Sequence, residues 1–239
     1  MTARYWYIIA IYVLAQFSSV IGVPILTSLG LKQDYSISIW AVFSFFVATL
    51  IIIFLLKPDM KQASEVRERS SAGNIALWSF LGVFLAYFAQ IIAILIETFL
   101  LGIKPGSQNT QELMEFARLS PLFILVMVLF APILEEIIFR KIIFGSIYKR
   151  TNFIIAVIVS ALAFAASHFD FTHMIVYMAM GIVFAYLYVK TKSIITPIIA
   201  HMAMNTVVVI GQYSMSEEDF RRMQEQFEQL QTIFGGLLL

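Results

Sequence analysis

The chain has no cysteine and few charged residues, and both absences restrict its function. Without cysteine it can form no disulfide, and it offers neither a thiolate nucleophile nor a thiolate metal ligand. Charged residues make up 13% of the 239 residues, and a net charge of +1 provides no basic surface of the kind that binds nucleic acid. Any catalysis must therefore use carboxylates, imidazoles, hydroxyls or a metal.

Hydrophobic residues, in contrast, make up 60% of the chain, and the mean hydropathy of +0.87 is far above that of a soluble domain. A helix needs about 20 apolar residues to cross the hydrocarbon core of a bilayer. Candidate spans lie at 5–28, 36–56, 74–102, 121–148, 153–168, 173–189 and 194–213. A break at Pro132 in the long fourth span would add an eighth. We therefore predict an all-α fold, a polytopic membrane helix bundle with seven or eight transmembrane helices.

Basic residues are distributed unevenly between the loops, and cytoplasmic loops usually carry the excess of lysine and arginine. Seven alternating spans put nine basic residues on the side of the N-terminus: Arg4, Lys57, Lys61, Arg67, Arg69, Lys149, Arg150, Lys190 and Lys192. They put five on the other side: Lys32, Lys104, Arg118, Arg221 and Arg222. This asymmetry predicts a cytoplasmic N-terminus.

Two adjacent glutamates, Glu135 and Glu136, interrupt the fourth span. An ionised carboxylate is costly inside a bilayer, so both are candidate functional residues. Adjacent residues on a helix point about 100° apart, and the two acids must therefore face different partners. Arg140 follows Glu136 by four residues, the spacing of a favourable ion pair. We predict that Arg140 neutralises Glu136 and leaves Glu135 as the available base; the alternative is a charge cluster at a helix end.

Two later spans carry polar residues inside apolar sequence. His168 ends a run rich in alanine, which allows another helix to approach closely. His201 and Asn205 are four residues apart, so their side chains lie on one helical face. Each residue alone is also compatible with a polar contact between helices or with a position near the water boundary.

Together these residues could hydrolyse a peptide bond without a covalent intermediate. A glutamate can take a proton from water, while histidine and asparagine can hold that water or donate to the oxyanion. The sequence therefore favours an intramembrane peptidase. Two alternatives remain open: an ion-coupled transporter whose buried acids and histidines relay protons, and a non-catalytic membrane scaffold.

The three motifs occur in the order Glu135-Glu136-x-x-x-Arg140, Phe164-x-x-x-His168 and His201-x-x-x-Asn205. This set resembles the CPBP superfamily of CAAX-type prenyl endopeptidases and bacteriocin-processing enzymes, over roughly residues 121–213. The resemblance implies that Glu135 activates water and that the Glu136–Arg140 pair supports it. It also implies that His168, His201 and Asn205 position water or a metal and stabilise the oxyanion.

The resemblance also implies a cellular setting and partners. The short loops are similar to those of the bacterial branch, which implies an integral protein of the bacterial plasma membrane, surrounded by lipid. Its substrate would be a peptide or a membrane-associated protein, in peptide-signal maturation, bacteriocin processing or immunity. A divalent metal such as zinc is an open question: His168, His201 and Glu135 could bind it with one position left for water.

Three further polar residues lie outside these motifs. Glu97 is a second acid within a span; we expect it to line the cavity or to pair with Arg140 or Lys141. Asp170 and His173 fall between two spans, where we expect solvent to satisfy them.

The motifs divide the chain into three regions. Residues 1–120 are predicted to form N-terminal membrane helices and loops, and residues 121–213 to form the catalytic core. Residues 214–239 read as an amphipathic tail, with Ser216 as a helix cap and apolar residues at roughly helical spacing.

Overall fold

The computed structural model describes residues 1–65 and 70–215, together with five residues of the C-terminal tail: Glu218, Arg222, Glu225, Gln226 and Gln229. The rest of the predicted amphipathic tail, including its cap at Ser216, lies outside the described residues.

The described part of the chain is helical and contains no strand, in agreement with the predicted all-α fold. Nine helices follow in chain order: α1 Ala3–Phe17, α2 Ser19–Ser28, α3 Gln33–Glu65, α4 Ala72–Leu101, α5 Gln108–Leu119, α6 Pro121–Tyr148, α7 Phe153–Ala166, α8 Met174–Thr191 and α9 Ile195–Ser214. Helix α6 contains two π-helical stretches, Val126–Phe130 and Glu136–Phe144. A 3₁₀ turn, Phe171–His173, precedes α8.

The predicted count of seven or eight spans is not confirmed. Among the described residues, five helices are long and apolar enough to cross a membrane, or six if α1 and α2, which are bent by 42° at Ser18, form one span. Helix α7 has 14 residues, which corresponds to about 21 Å at 1.5 Å per residue, less than the roughly 30 Å of the hydrocarbon core. Pro132 does not divide α6, because it lies where a π-helical stretch gives way to an α-helical turn.

Small residues allow helices α4, α7 and α8 to approach one another closely. At Gly181 in α8, an added Cβ atom would lie 3.1 Å from both Cα and Cβ of Ala161 in α7. At Gly82 in α4, it would lie 2.5 Å from a methyl group of Leu187 in α8. Close backbone approach of this kind is a main source of helix association inside membranes. It places α8 between α4 and α7, and it brings the end of α7 beside the start of α8.

Candidate active site

Glu136 and Arg140 form the predicted ion pair in the interior of the bundle. The Nε atom of Arg140 lies 3.1 Å from Oε2 of Glu136, and both side chains are completely buried. Removing one partner of such a buried pair leaves an uncompensated charge, which is far more costly than the loss of a surface pair. The two residues therefore depend on each other.

Aromatic rings surround the rest of the Arg140 side chain. Its guanidinium carbon lies 4.2 Å from the ring centre of Phe164 and 5.4 Å from that of Phe184. Within the described part of the chain, none of its three guanidinium nitrogens has a hydrogen-bond partner with good geometry. The ring faces carry negative partial charge, and they stabilise the cation together with Glu136.

His201 connects the two glutamates. Its Nδ1 atom lies 3.0 Å from Oε1 of Glu136, and its Nε2 atom lies 3.8 Å from Oε2 of Glu135. The imidazole also stacks on Phe184, with ring centres 4.9 Å apart and an angle of 20° between the planes. One nitrogen is thus held by Glu136 while the other faces Glu135. The spacing of four residues predicts the pairing of Glu136 with Arg140 but not this second contact.

His168 lies just beyond the end of α7, and both its ring plane and one of its nitrogens are fixed. Nδ1 lies 2.8 Å from the carbonyl oxygen of Phe164. Since a carbonyl can only accept, this geometry requires a proton on Nδ1, and it leaves Nε2 of the neutral ring as an acceptor. The ring stacks on Tyr177 at 4.0 Å between centres. His168 also interacts electrostatically with Glu135 and His201.

Asn205 lies one helical turn after His201 on α9 and is hydrogen-bonded to α6. Its Nδ2 atom donates to the carbonyl oxygen of Met127 at 2.9 Å. That carbonyl belongs to the first π-helical stretch of α6. A carboxamide nitrogen carries two hydrogens, so one remains for another acceptor.

A cavity of about 890 Å³ brings four of the predicted site residues together: Glu135, His168, His201 and Asn205 line it. Glu136 and Arg140 are not among its described lining residues and lie behind His201. The lining is mostly apolar, and Glu135 is the one carboxylate among the described residues that form it. The six predicted residues thus separate into four that face the cavity and two that support them.

Helices without a recognised motif also contribute to the cavity. Tyr12 of α1 lines it, and its hydroxyl accepts a hydrogen bond from Gln16 at 2.9 Å. Ser107 and Asn109, at the start of α5, bind the hydroxyl of Tyr177 at 2.8 and 3.3 Å. Sequence reasoning missed these residues because neither tyrosines in apolar helices nor serine and asparagine in a polar loop show a distinctive spacing.

The predicted metal ligands do not form a ligand cluster in this arrangement. No group of three histidine, aspartate or glutamate side chains among the described residues has the geometry to hold a metal ion. Nδ1 of His168 faces a carbonyl oxygen and Nδ1 of His201 faces Glu136, so each imidazole has its Nε2 atom left for a metal or a water molecule. A metal at Glu135, His168 and His201 stays a prediction, and we derive no catalytic step through one.

Glu97 binds the start of α8 and not the basic residues of α6. It is 2% exposed and binds His173, with Oε2 2.8 Å from Nδ1, and its Oε1 accepts from the backbone nitrogens of Ile175 and Val176 at 3.1 and 3.3 Å. The expected pairing of Glu97 with Arg140 or Lys141 is therefore wrong. The free N–H groups at the start of α8 attract this carboxylate because α4 packs beside α8.

Asp170 and His173 in the turn before α8 are also buried, contrary to the prediction that solvent satisfies them. Asp170 and His173 are each 7% exposed. His173 is satisfied by Glu97 instead of water, since the turn lies against the end of α4.

The helix bundle and its cavity of glutamate, histidine and asparagine residues agree with the predicted class, that of the polytopic membrane peptidases. The chain belongs to the CAAX protease family: residues 117–207 match the family model described as type II CAAX prenyl endopeptidase Rce1-like. All six predicted site residues fall inside that range.

Two curated relatives extend the similarity over the full chain. The chain is 40% identical over 248 aligned positions to the putative membrane peptidase YdiL of Bacillus subtilis (strain 168), with 100% of both proteins covered. It is 34% identical over 236 positions to the membrane-embedded CAAX protease MroQ of Staphylococcus aureus (strain USA300), with 95% of both covered. No solved structure matches. The chain is therefore an integral bacterial membrane protein of a peptidase family, as predicted.

Proposed function

We propose that the chain is an intramembrane endopeptidase in which Glu135 activates the water that cleaves the substrate. The observation that carries this proposal is the shared cavity, where Glu135 faces the same space as His168, His201 and Asn205. Glu136 is engaged by both Arg140 and His201. Glu135 is therefore the carboxylate that is free to meet a water molecule.

The reaction proceeds by direct attack of water. Glu135 takes one proton from the water as its oxygen bonds to the carbonyl carbon of the scissile peptide, and the carbonyl oxygen becomes an oxyanion. The C–N bond then breaks, and Glu135 returns the proton to the leaving nitrogen. The products are a new carboxyl terminus and a new amine, so the enzyme ends in its starting protonation state.

The other cavity residues position the water and stabilise the charge. Nε2 of His168 is the acceptor for the second hydrogen of the water. The free hydrogen of the Asn205 carboxamide donates to the oxyanion. His201 lies one helical turn earlier on the same face of α9 and lines the same part of the cavity. Preorganised groups of this kind act strongly in a site with little water.

The substrate we propose is a peptide or a membrane-associated protein whose cleaved segment is apolar. The cavity lining is mostly apolar, and a volume of about 890 Å³ accommodates a short peptide segment. For a bacterial member of this family, we propose the maturation of peptide signals or bacteriocins, or immunity against them. The names of the two relatives, a membrane peptidase and a CAAX protease, support the reaction type.

Replacement of Glu135 by glutamine tests the proposal. The amide keeps the shape of the side chain but cannot take a proton, so we expect cleavage to fall by about 10²–10⁴-fold. The matched control is Glu115→Gln, which alters an exposed glutamate of α5. Peptides of cells that carry each variant are compared with those of cells that carry the native chain, and candidate substrates are assayed with purified protein in lipid. Cleavage by Glu135→Gln at the native rate would overturn the proposal.

A further inference from the structure

Contacts between helix termini define two ends of the bundle. At one end Arg4, in the first turn of α1, pairs with Asp59 of α3 at 2.6 Å. At the same end the backbone nitrogen of Ser70, just before α4, donates to the carbonyl oxygen of Thr191 at the end of α8, at 3.4 Å. The ammonium group of Lys190 lies 5.0 Å from the ring centre of Trp78. We call this the basic end; α1, α4, α7 and α9 begin there.

The opposite end carries the contacts around the active site. The hydroxyl of Tyr213, near the end of α9, donates to the carbonyl oxygen of Ala117 at the end of α5, at 2.6 Å. Arg118 donates to the carbonyl oxygen of Gln212 at 2.7 Å. Helix α5 therefore lies across this end of the bundle, where α3, α6 and α8 begin. We call it the cavity end.

Every helix that lines the cavity does so away from the basic end. The lining residues fall at 12–24 of α1 and α2, 37–45 of α3, Gln90 of α4, 107–116 of α5, 123–135 of α6, 164–169 at the end of α7, 176–180 of α8 and 201–208 of α9. In α1 to α4, α6, α7 and α8 these residues lie toward the cavity end, and in α9 they lie near its middle. The cavity thus extends from the middle of the bundle to the cavity end.

Basic residues separate between the two ends in the same way. The described residues at the basic end include Arg4, Lys57, Lys61, Lys149, Arg150, Lys190 and Lys192. Those at or beyond the cavity end are Lys32, Lys104, Arg118 and Arg222. Lysine and arginine are retained on the cytoplasmic side during membrane insertion. The basic end is therefore the cytoplasmic end.

We infer that the cavity opens on the extracytoplasmic side, so that the substrate is a peptide segment that reaches Glu135 from the outer half of the membrane. The statement about the substrate rests on the proposed peptidase function, whereas the direction of the opening does not. Cytoplasmic proteins anchored to the inner face of the membrane are consequently not substrates. An exported peptide, or the outer end of a membrane segment, has the required position.

The depth of Glu135 sets the shortest substrate segment that can reach it from the cavity end. Glu135 lies 14 residues after Pro121, where α6 begins at the cavity end. This distance along the helix is about 21 Å at 1.5 Å per residue, and an extended chain covers it with about six residues at roughly 3.3 Å each. A folded domain closer than about six residues to the scissile bond would therefore block cleavage.

The absence of cysteine allows a direct test with single-cysteine variants. Gln111→Cys marks the exposed surface of α5 at the cavity end, and Ser44→Cys marks the cavity wall in α3. Thr151→Cys, an equally neutral change at an exposed position between α6 and α7, marks the basic end. Intact bacteria are treated with a membrane-impermeant maleimide before and after permeabilisation.

We expect the impermeant reagent to label Gln111→Cys and Ser44→Cys in intact cells, and Thr151→Cys after permeabilisation. The opposite pattern, or labelling of Ser44→Cys that requires permeabilisation, would overturn the inferred direction. Because labelling does not depend on catalysis, it can be repeated in the Glu135→Gln background. If the labelling pattern is the expected one but Glu135→Gln cleaves as fast as the native chain, the proposed function is wrong and the inferred direction of the opening still holds.

The length requirement is tested with substrates in which a folded domain is placed at increasing distances from the cleavage site. We expect cleavage to begin when about six residues separate them on the extracytoplasmic side. The same substrate is also presented from the cytoplasmic side. If it is cleaved there at a rate equal to or higher than the rate on the extracytoplasmic side, the inference is wrong even if the chain is a peptidase.

Discussion

Tyr177 supports His168 from behind: the two rings stack with centres 4.0 Å apart and planes at 28°. The tyrosine hydroxyl is bound in turn by Ser107 and Asn109 at the start of α5. With Nδ1 of His168 held by the Phe164 carbonyl, this stack fixes the direction of Nε2. A residue of α8 thus orients a proposed water-binding residue that follows α7.

The first prediction concerns this stack. We expect Tyr177→Leu to lower kcat by on the order of 10²-fold, because small displacements of a positioning group have effects of this size. Tyr177→Phe keeps the ring, and we expect its kcat to stay within a few-fold of the native value. Both are measured as kcat and KM, with thermal unfolding in detergent as a check on folding. Equal kcat values for the two variants at equal stability would contradict the role assigned to the ring.

Glu136 leads to a second prediction, since it contacts both Arg140 and His201. Glu136→Ala leaves the fully buried Arg140 without its carboxylate, and breaking a buried pair in this way costs about 3–5 kcal/mol. We expect a large fall in the thermal unfolding temperature together with loss of cleavage. Glu135→Ala removes a carboxylate that is not paired with Arg140, so we expect loss of cleavage with little loss of stability. Similar unfolding temperatures for the two variants would argue against the division of roles.

Part of this arrangement could be predicted from the sequence, namely what depends on local spacing. The Glu136–Arg140 pair follows from a separation of four residues, and the common face of His201 and Asn205 follows in the same way. The Glu97–His173 contact joins residues 76 positions apart, and no local pattern indicates it. The predicted span count is not confirmed for a local reason: α7 ends at Ala166, and Phe169 adopts a positive φ of 55° in the turn that follows.

Glu97 provides a third prediction, about the start of α8. Its carboxylate binds His173 and two backbone N–H groups in a buried position. We expect Glu97→Leu to destabilise the protein by about 1–3 kcal/mol, because it leaves these donors unsatisfied. Glu112→Leu changes an exposed glutamate of α5 and serves as the control. Thermal unfolding in detergent measures both, and equal stability of the two variants would show that the buried contacts contribute nothing.

A fourth prediction addresses the metal. Because no group of three candidate ligands among the described residues is placed to hold a metal, we expect cleavage to survive extended treatment with a chelator. Activity is measured before chelation, after it, and after addition of zinc. Complete loss of activity that zinc restores would instead support the metal set of Glu135, His168 and His201 implied by the family resemblance.

The last prediction tests the close approach of α7 and α8. A Cβ atom at Gly181 would lie 3.1 Å from the Cα and Cβ atoms of Ala161, and backbone cannot move aside as a flexible side chain can. We expect Gly181→Val to destabilise the protein by about 1–3 kcal/mol and to lower kcat, because the separation of the two helices moves His168 away from Glu135. Gly211→Val in α9 adds the same side chain where nothing lies within 4 Å. Thermal unfolding and kcat of both variants are compared, and equal losses would show that the effect comes from replacing glycine rather than from the contact with α7.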